Sequence, residues 1–196
     1  MTNQQRQNRR TILMLFGMTI IPFCIAWYFS TLPPSKTTNN GELVTPVVAT
    51  EKSDFIGFDK FSADNIGELS GHWLVANVIP EQDCRQLCQD AIYKSKQLHL
   101  MLNKDLTRVR RVVILLNNSD PQQAASWWHN DTRLLKFKGS AALIGKIKQI
   151  RKGVVPDGML FLIDPLGNIM MQYEPGFDPY KVEKDLKKLL NVSQIG

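Results

Sequence analysis

One stretch of this sequence has no charge at all, and cysteine and histidine are scarce everywhere. The 196 residues include three cysteines and three histidines. Any thiol or imidazole ligand or nucleophile must therefore come from Cys24, Cys84, Cys88, His72, His99 and His129. The net charge is +6, yet no basic block is interleaved with aromatics. Arg108, Arg110 and Arg111, like Lys184, Lys187 and Lys188, alternate with apolar residues or acids. That is the pattern of solvated helix faces and strand ends, and it excludes a nucleic-acid patch. No acid occurs among the first ten residues, and no charge of either sign occurs from Thr11 to Leu32.

The uncharged run TILMLFGMTIIPFCIAWYFSTL meets the roughly 20 apolar residues needed to cross a bilayer. A cleaved signal peptide has an apolar core of only about 7–15 residues and closes on small residues. This run closes on Trp27, Tyr28 and Phe29, aromatics suited to the membrane–water interface. Pro22 predicts a kink that a lipid-embedded helix tolerates. Cys24, preceded by Ile21-Pro22-Phe23, does not match a lipoprotein processing site and reads as a small apolar residue of the span. Arg6, Arg9 and Arg10 ahead of the run place residues 1–10 in the cytoplasm by the positive-inside bias. Residues 11–32 then form a single transmembrane anchor of a bacterial inner membrane, with the C-terminal part in the periplasm. That compartment permits disulfides.

Residues 33–53 are polar, with prolines and Asn40-Gly41, and read as a linker. Residues 54–196 form the globular domain, and an apolar content of 43% is enough to give it a core. Phe55, Phe58 and Phe61 suggest an arm or hairpin packed on that domain. Trp73–Ile79 is a continuous apolar run of strand length. Helical spacing follows from Cys84 to about Leu102, and Val109–Leu116 is a second buried strand. Asn117–Pro121 caps a helix over roughly Gln122–His129, and Ser140–Lys152 is a further helix. Met159–Asp164 and Asn168–Tyr173 form a hairpin around Asp164-Pro165-Leu166-Gly167. A last helix begins at Asp178-Pro179. The order predicts an α/β fold with a mixed sheet flanked by helices.

Two of the three cysteines, Cys84 and Cys88, stand four apart where a strand turns into a helix. A helix N-terminus exposes free amides and the positive end of the macrodipole, which favour thiolate over thiol. Cys84 lies nearer that end and has Arg85 beside it, while Glu81 and Asp83 oppose the effect. A spacing of four allows a disulfide if Cys84 is outside the helix, and it also offers copper(I) two soft thiolates. An inert disulfide or two buried thiols is the bland alternative. His72 starts the first strand, at the end remote from the cysteines. His99 lies eleven residues beyond Cys88, about 16 Å along a helix. His129, on the same edge as the cysteine turn, is the histidine placed to join the pair. Met159 could add a thioether or simply fill the core.

Gly71-His72-Trp73, Cys84–Cys88 and Leu162-Ile163-Asp164-Pro165-Leu166-Gly167 resemble the Sco/SenC proteins, from about residue 54 to 190. A second resemblance covers nearly the whole chain. Asn40–Val44, His99–Asp105, Arg108–Leu116 and the tail from Lys184 to Gly196 are similar to a group of small membrane-anchored bacterial proteins encoded among cytochrome oxidase and haem A assembly genes. The resemblance implies a thioredoxin-like fold and a role in cytochrome c oxidase assembly, with an oxidase subunit or another assembly factor as partner. It further implies a Cys84/Cys88 site for thiol–disulfide exchange or transient copper(I) handling. Sco proteins place a third copper ligand, a histidine, shortly before the Asp-Pro strand. Here that position falls at Pro156 or Asp157. The prolines and aspartate usual around the Sco cysteines are replaced by Arg85-Gln86-Leu87.

Three functions follow as expectations. The first is an anchored oxidase-assembly factor working through Cys84 and Cys88, with His129 as third ligand if copper(I) is held. The second is a general periplasmic thiol–disulfide oxidoreductase, for which a Cys-x-x-Cys would be the ordinary spacing. The third is a non-catalytic scaffold with structural cysteines.

Overall fold

The structure is a computed structural model that describes residues 3–31, 38–128, 131–193 and 195. By its contacts the chain divides into two compact units, with the boundary in the sequence between Thr38 and Asn39. The first unit holds helix α1 (Asn3–Thr31), with Pro22 inside it. Ile12, Met18, Phe23 and Trp27 on α1 are all exposed. A helix apolar on every side finds no stable place in water. The stretch Gln7–Thr31 is long and apolar enough to cross a membrane.

The second unit is built on a seven-stranded mixed sheet. Its strands are β1 (Glu42–Ala49), β2 (Phe55–Gly57), β3 (Trp73–Ile79), β4 (Val109–Leu115), β5 (Leu135–Gly139), β6 (Met159–Ile163) and β7 (Asn168–Tyr173). They lie side by side in the order β1-β7-β6-β3-β4-β5-β2. β3, β4 and β5 are parallel, while β6 runs antiparallel to β3 and β7 antiparallel to β6. The helices are α2 (Lys60–Asp64), α3 (Gln86–Met101), α4 (Pro121–Ala125), α5 (Ala141–Ile150) and α6 (Pro179–Val192).

β3 is buried at every position, as a central strand covered on both faces must be. Leu74, Ala76 and Val78 pack with Phe137, Phe161 and the α5 residues Leu143 and Ile147. Val75 faces the other way and packs with Ala91 and Leu98 of α3 and Val182 and Leu186 of α6. The helix starts follow their caps. Ser140 accepts the Leu143 amide of α5 at 3.1 Å, and Asp178 the Tyr180 amide of α6 at 2.9 Å.

Three expectations need correction. The stretch 33–53 is not a linker throughout, because Glu42–Ala49 pairs with β7 and Val44 is buried in the core. The proline that argued against a strand, Pro46, falls between Leu43 and Val48, where the register shifts. An edge strand tolerates a missing N–H at such a place. The globular unit thus begins near Asn39, not at Asp54. Asp185 of α6, 1% exposed, holds this start by accepting the amides of Asn40 at 2.7 Å and Gly41 at 3.0 Å. Secondly, Leu135–Gly139 forms a strand that the sequence reading passed over. Phe55–Gly57 pairs with it as the other sheet edge, so the aromatic arm is a short strand followed by α2. Phe55 stacks edge-on against Phe137 at 5.8 Å. Thirdly, the helix read over Gln122–His129 is α4 for one turn, followed by a tighter turn over Ser126–Trp128.

Candidate functional site

β3 ends at Ile79, and the chain turns through Pro80–Arg85 before α3 starts at Gln86. Asn117, just after β4, donates its side-chain amide to the Pro80 carbonyl, and Gln123 of α4 donates to Asp83. Within the turn Arg85 pairs with Glu81 at 3.0 Å. Gln89 reaches back one turn to the Cys84 carbonyl at 2.9 Å. These bonds fix Cys84 outside the helix and Cys88 in its first turn.

The two cysteines are joined as a disulfide, with their Cα atoms 5.3 Å apart. Both are buried, Cys84 to 3% and Cys88 to 2% exposure. They pack with Ile79, Ile92, Leu115, Ala124, Trp127 and Trp128. The two indoles meet edge to face at 5.6 Å, and Phe58 lies 6.5 Å from Trp128. The sequence reading favoured Cys84 as the more activated of the two, nearer the helix end, but it did not foresee that Ala124, Trp127 and Trp128 pack over the pair.

A second element reaches the disulfide from the sheet. The loop into β6 passes so close to α3 that a Cβ on Gly158 would stand 2.7 Å from the Leu87 carbonyl oxygen, and φ at Gly158 is +83°. Only glycine fits there without strain. This approach brings Asp157 beside the first turn of α3. Burial, and then the charge of Glu81, push the Asp157 carboxyl above its ordinary range, while the Cys88 amide works in the opposite direction. Asp157 Oδ1 is buried with no hydrogen-bond partner among the described residues. The side chain of Arg85, the cap residue of α3, makes no capping bond.

The remaining candidates lie elsewhere. His72 sits between Glu68 and Arg110, its Nδ1 3.2 Å from the Glu68 carbonyl and its Nε2 2.9 Å from Arg110 Nη2. His99 Nε2 is 3.1 Å from the Val109 carbonyl oxygen, and burial lowers its pKa. Met159 is fully buried in the core on the α5 side of the sheet. His129 lies outside the described residues. A cavity of about 540 Å³ lies toward the far end of α3, lined in part by Phe61, Lys96, Leu100 and Arg110 and by neither cysteine.

Copper(I) finds a mixed donor set at the pair. After reduction the pair would offer two soft thiolates, but the carboxylate of Asp157 beside them is a hard donor that suits copper(I) poorly. Among the described residues no group of three His, Cys, Asp or Glu side chains is arranged to hold a metal. The described residues thus offer copper(I) the two cysteine sulfurs and no third His, Cys, Asp or Glu ligand. The sequence reading also missed Asn77, a lone amide in the apolar run of β3. It is 2% exposed, and neither its Nδ2 nor its Oδ1 has a hydrogen-bond partner among the described residues.

Comparison with known proteins agrees with this fold. The family model of the transmembrane-like, thioredoxin-like, C-terminal domain matches residues 73–193, more than half of the chain. No curated protein matches the chain in sequence. Among solved structures, apo Sco1 from Thermus thermophilus is similar with a TM-score of 0.55 at 13% identity, over 79% of this chain and 99% of that one. Copper-bound yeast Sco1 is similar with a TM-score of 0.51 at 14% identity, over 65% and 83%. The thioredoxin domain of a thiol–disulfide oxidoreductase from Bacteroides vulgatus is similar with a TM-score of 0.50 at 10% identity, over 79% and 100%. At these identities the likeness establishes the fold, which is thioredoxin-like and shared with the Sco proteins.

Proposed function

The chain belongs to the transmembrane-like, thioredoxin-like C-terminal domain family, and we propose that it is a membrane-anchored assembly factor of cytochrome c oxidase that works by thiol–disulfide exchange at Cys84 and Cys88. The observation that carries this reading is the disulfide itself, set where β3 turns into α3 of a thioredoxin-like domain. Amides and macrodipole at that helix end stabilise a thiolate when the bond opens. α1 anchors the chain, and Arg9 and Arg10 before the apolar run favour an N-terminus in the cytoplasm and a domain in the periplasm. Anchoring raises the local concentration of the domain for a membrane client. The client, an oxidase subunit or another assembly factor, follows from the resemblance of the cysteine turn and the Asp164–Gly167 hairpin to Sco proteins.

In the exchange a client thiolate attacks one sulfur of the pair, and the Sγ–Sγ bond breaks. The electron pair goes to the other sulfur, which takes up a proton. A second client thiol then displaces the mixed disulfide. The client leaves as a disulfide, and the protein holds two thiols. The reverse sequence reduces a client disulfide. Because Cys84 and Cys88 are both buried, attack requires the side chains over them to part. Copper(I) is assigned no step here; the third donor read from the sequence, His129, lies outside the described residues.

The test uses the full-length chain in a neutral detergent. A reversible two-electron couple should appear and be lost in Cys84→Ser and Cys88→Ser. Reduced protein is titrated with copper(I) in parallel, and cells lacking the protein are assayed for oxidase activity. No couple and no copper uptake would leave the scaffold reading in place. Normal oxidase activity without the protein would remove the assembly role.

A further inference from the structure

The cysteine turn is acidic in a chain that is basic overall. Glu81 and Asp83 are exposed on the turn, and Asp157 stands against the first turn of α3. Asp157 responds to the charges of both Glu81 and Arg85, so these groups act within one small region. Arg85, the cation of the turn, is tied to Glu81 at 3.0 Å. Three carboxylates therefore stand against one guanidinium beside the disulfide, although the whole chain carries a net charge of +6. Asp157 Oδ1 is buried without a hydrogen-bond partner among the described residues, and the Cys88 amide and the charge of Arg85 favour the charged form of this carboxyl against burial. Leu87, between the two cysteines, keeps 52% of its surface exposed.

The species that attacks a disulfide is an anionic thiolate. A group of carboxylates repels it unless the molecule carrying it brings cations, and apolar surroundings strengthen the effect because they screen charge poorly. We propose that Glu81, Asp83 and Asp157 select the reacting thiol by charge, so that the substrate of the Cys84–Cys88 pair is a cysteine held among basic residues, with an apolar neighbour that packs on Leu87. This deepens the thiol–disulfide reading and rests on it. The incoming sulfur forms a bond to one sulfur of the pair, the Sγ–Sγ bond breaks, and the other sulfur leaves with the electrons and is protonated by solvent. A second substrate thiol releases the mixed disulfide. Two thiols thus lose two electrons and two protons, and the protein disulfide gains them.

The test compares two small thiols of opposite charge on the oxidised full-length chain in neutral detergent. Cysteamine carries an ammonium group and 3-mercaptopropionate a carboxylate. Each rate is divided by the rate of the same thiol with bis(2-hydroxyethyl) disulfide, which removes the difference in intrinsic reactivity. The corrected rates should favour cysteamine by about tenfold or more at low ionic strength. The preference should shrink in about 0.5 M salt, where the screening length falls to a few ångströms. Asp157→Asn should remove part of the preference, and Glu81→Gln/Asp83→Asn/Asp157→Asn should bring the ratio close to one, with circular dichroism confirming that each variant is folded. Equal corrected rates on the natural chain, or a ratio unmoved in the triple variant, would overturn the inference while leaving the exchange reading intact. If neither thiol opens the disulfide of the folded chain, both are overturned together.

Discussion

Gly158 and Leu87 are in backbone contact: the Cβ that glycine lacks would stand 2.7 Å from the Leu87 carbonyl oxygen and 3.0 Å from its carbonyl carbon. The loop into β6 and the first turn of α3 therefore hold one another in place, and the disulfide lies at their junction.

Gly158→Ala should cost more than about 2 kcal/mol. It combines a left-handed backbone conformation with a collision against backbone, which cannot swing aside as a side chain can. Urea unfolding of the oxidised chain measures the loss. The same variant should change the rate at which a small thiol opens the disulfide, because α3 must shift. A variant as stable as the natural chain would show that the contact relaxes freely.

Arg111 and Asp131 form a buried ion pair, with side chains 4% and 8% exposed. Arg111 also lies 3.3 Å from the Ile92 carbonyl of α3. Burial alone would raise the Asp131 carboxyl, but the hydrogen bond and charge of Arg111 prevail and hold it below its ordinary range. Arg111→Met strands a buried carboxylate and should cost about 3–5 kcal/mol, whereas Arg111→Met with Asp131→Leu should cost far less. Denaturant midpoints of the two variants give the comparison. Equal losses would mean that packing, not charge, dominates the site.

His99 is held neutral by burial, which lowers its pKa against the ordinary value of 6.5, and the nearby charge of Arg111 adds to this. The sign follows directly. The unfolded chain takes up the proton first, so the stabilising contribution is complete above the unfolded pKa and is lost as pH falls through the folded one. Stability should therefore decline from about pH 6.5 downward, before the carboxylates titrate. His99→Gln should flatten that part of the stability curve. An unchanged slope in the variant would assign it to other groups.

The disulfide closes no long loop, since only three residues separate the cysteines, so reduction frees little chain. On the chain-entropy argument the loss should be about 2 kcal/mol, small enough for the reduced chain to stay folded. Trp127 and Trp128 share a cluster with Cys84 and Cys88, and a nearby disulfide quenches an excited indole by accepting an electron. Reduction should therefore brighten the tryptophan emission without loss of ellipticity. Emission that stays constant would separate the indoles from the pair.

Periodicity marked the strands that lie in the middle of the sheet. Trp73–Ile79 and Met159–Ile163 are continuous apolar runs because helices cover both their faces. The two sheet edges were harder to read. β1 carries Pro46 and mostly exposed residues, so its composition resembles a linker. β5 is five residues long with a lysine at every second position, Lys136 and Lys138. Lys136 is buried because Asp59 pairs with it at 2.9 Å, a partner 77 residues away that no local pattern reveals. The same holds at the disulfide. The cysteines are legible from their spacing, whereas Asp157 is legible only as one of the two positions, with Pro156, where the Sco resemblance would put a histidine. The cover supplied by Trp127 and Trp128 depends on where a short helix docks, which hydrophobic spacing does not encode.

The rims of the sheet carry a consequence of their own. β2 offers three residues, and the pairing of β1 with β7 is interrupted between Leu43 and Val48, where Pro46 has no N–H to give. Neither rim presents a neighbouring copy with a long unbroken ladder to extend. Proteins crowded in the plane of a bilayer collide with their own kind far more often than proteins in free solution. Rims of this kind give a visiting strand little to pair with.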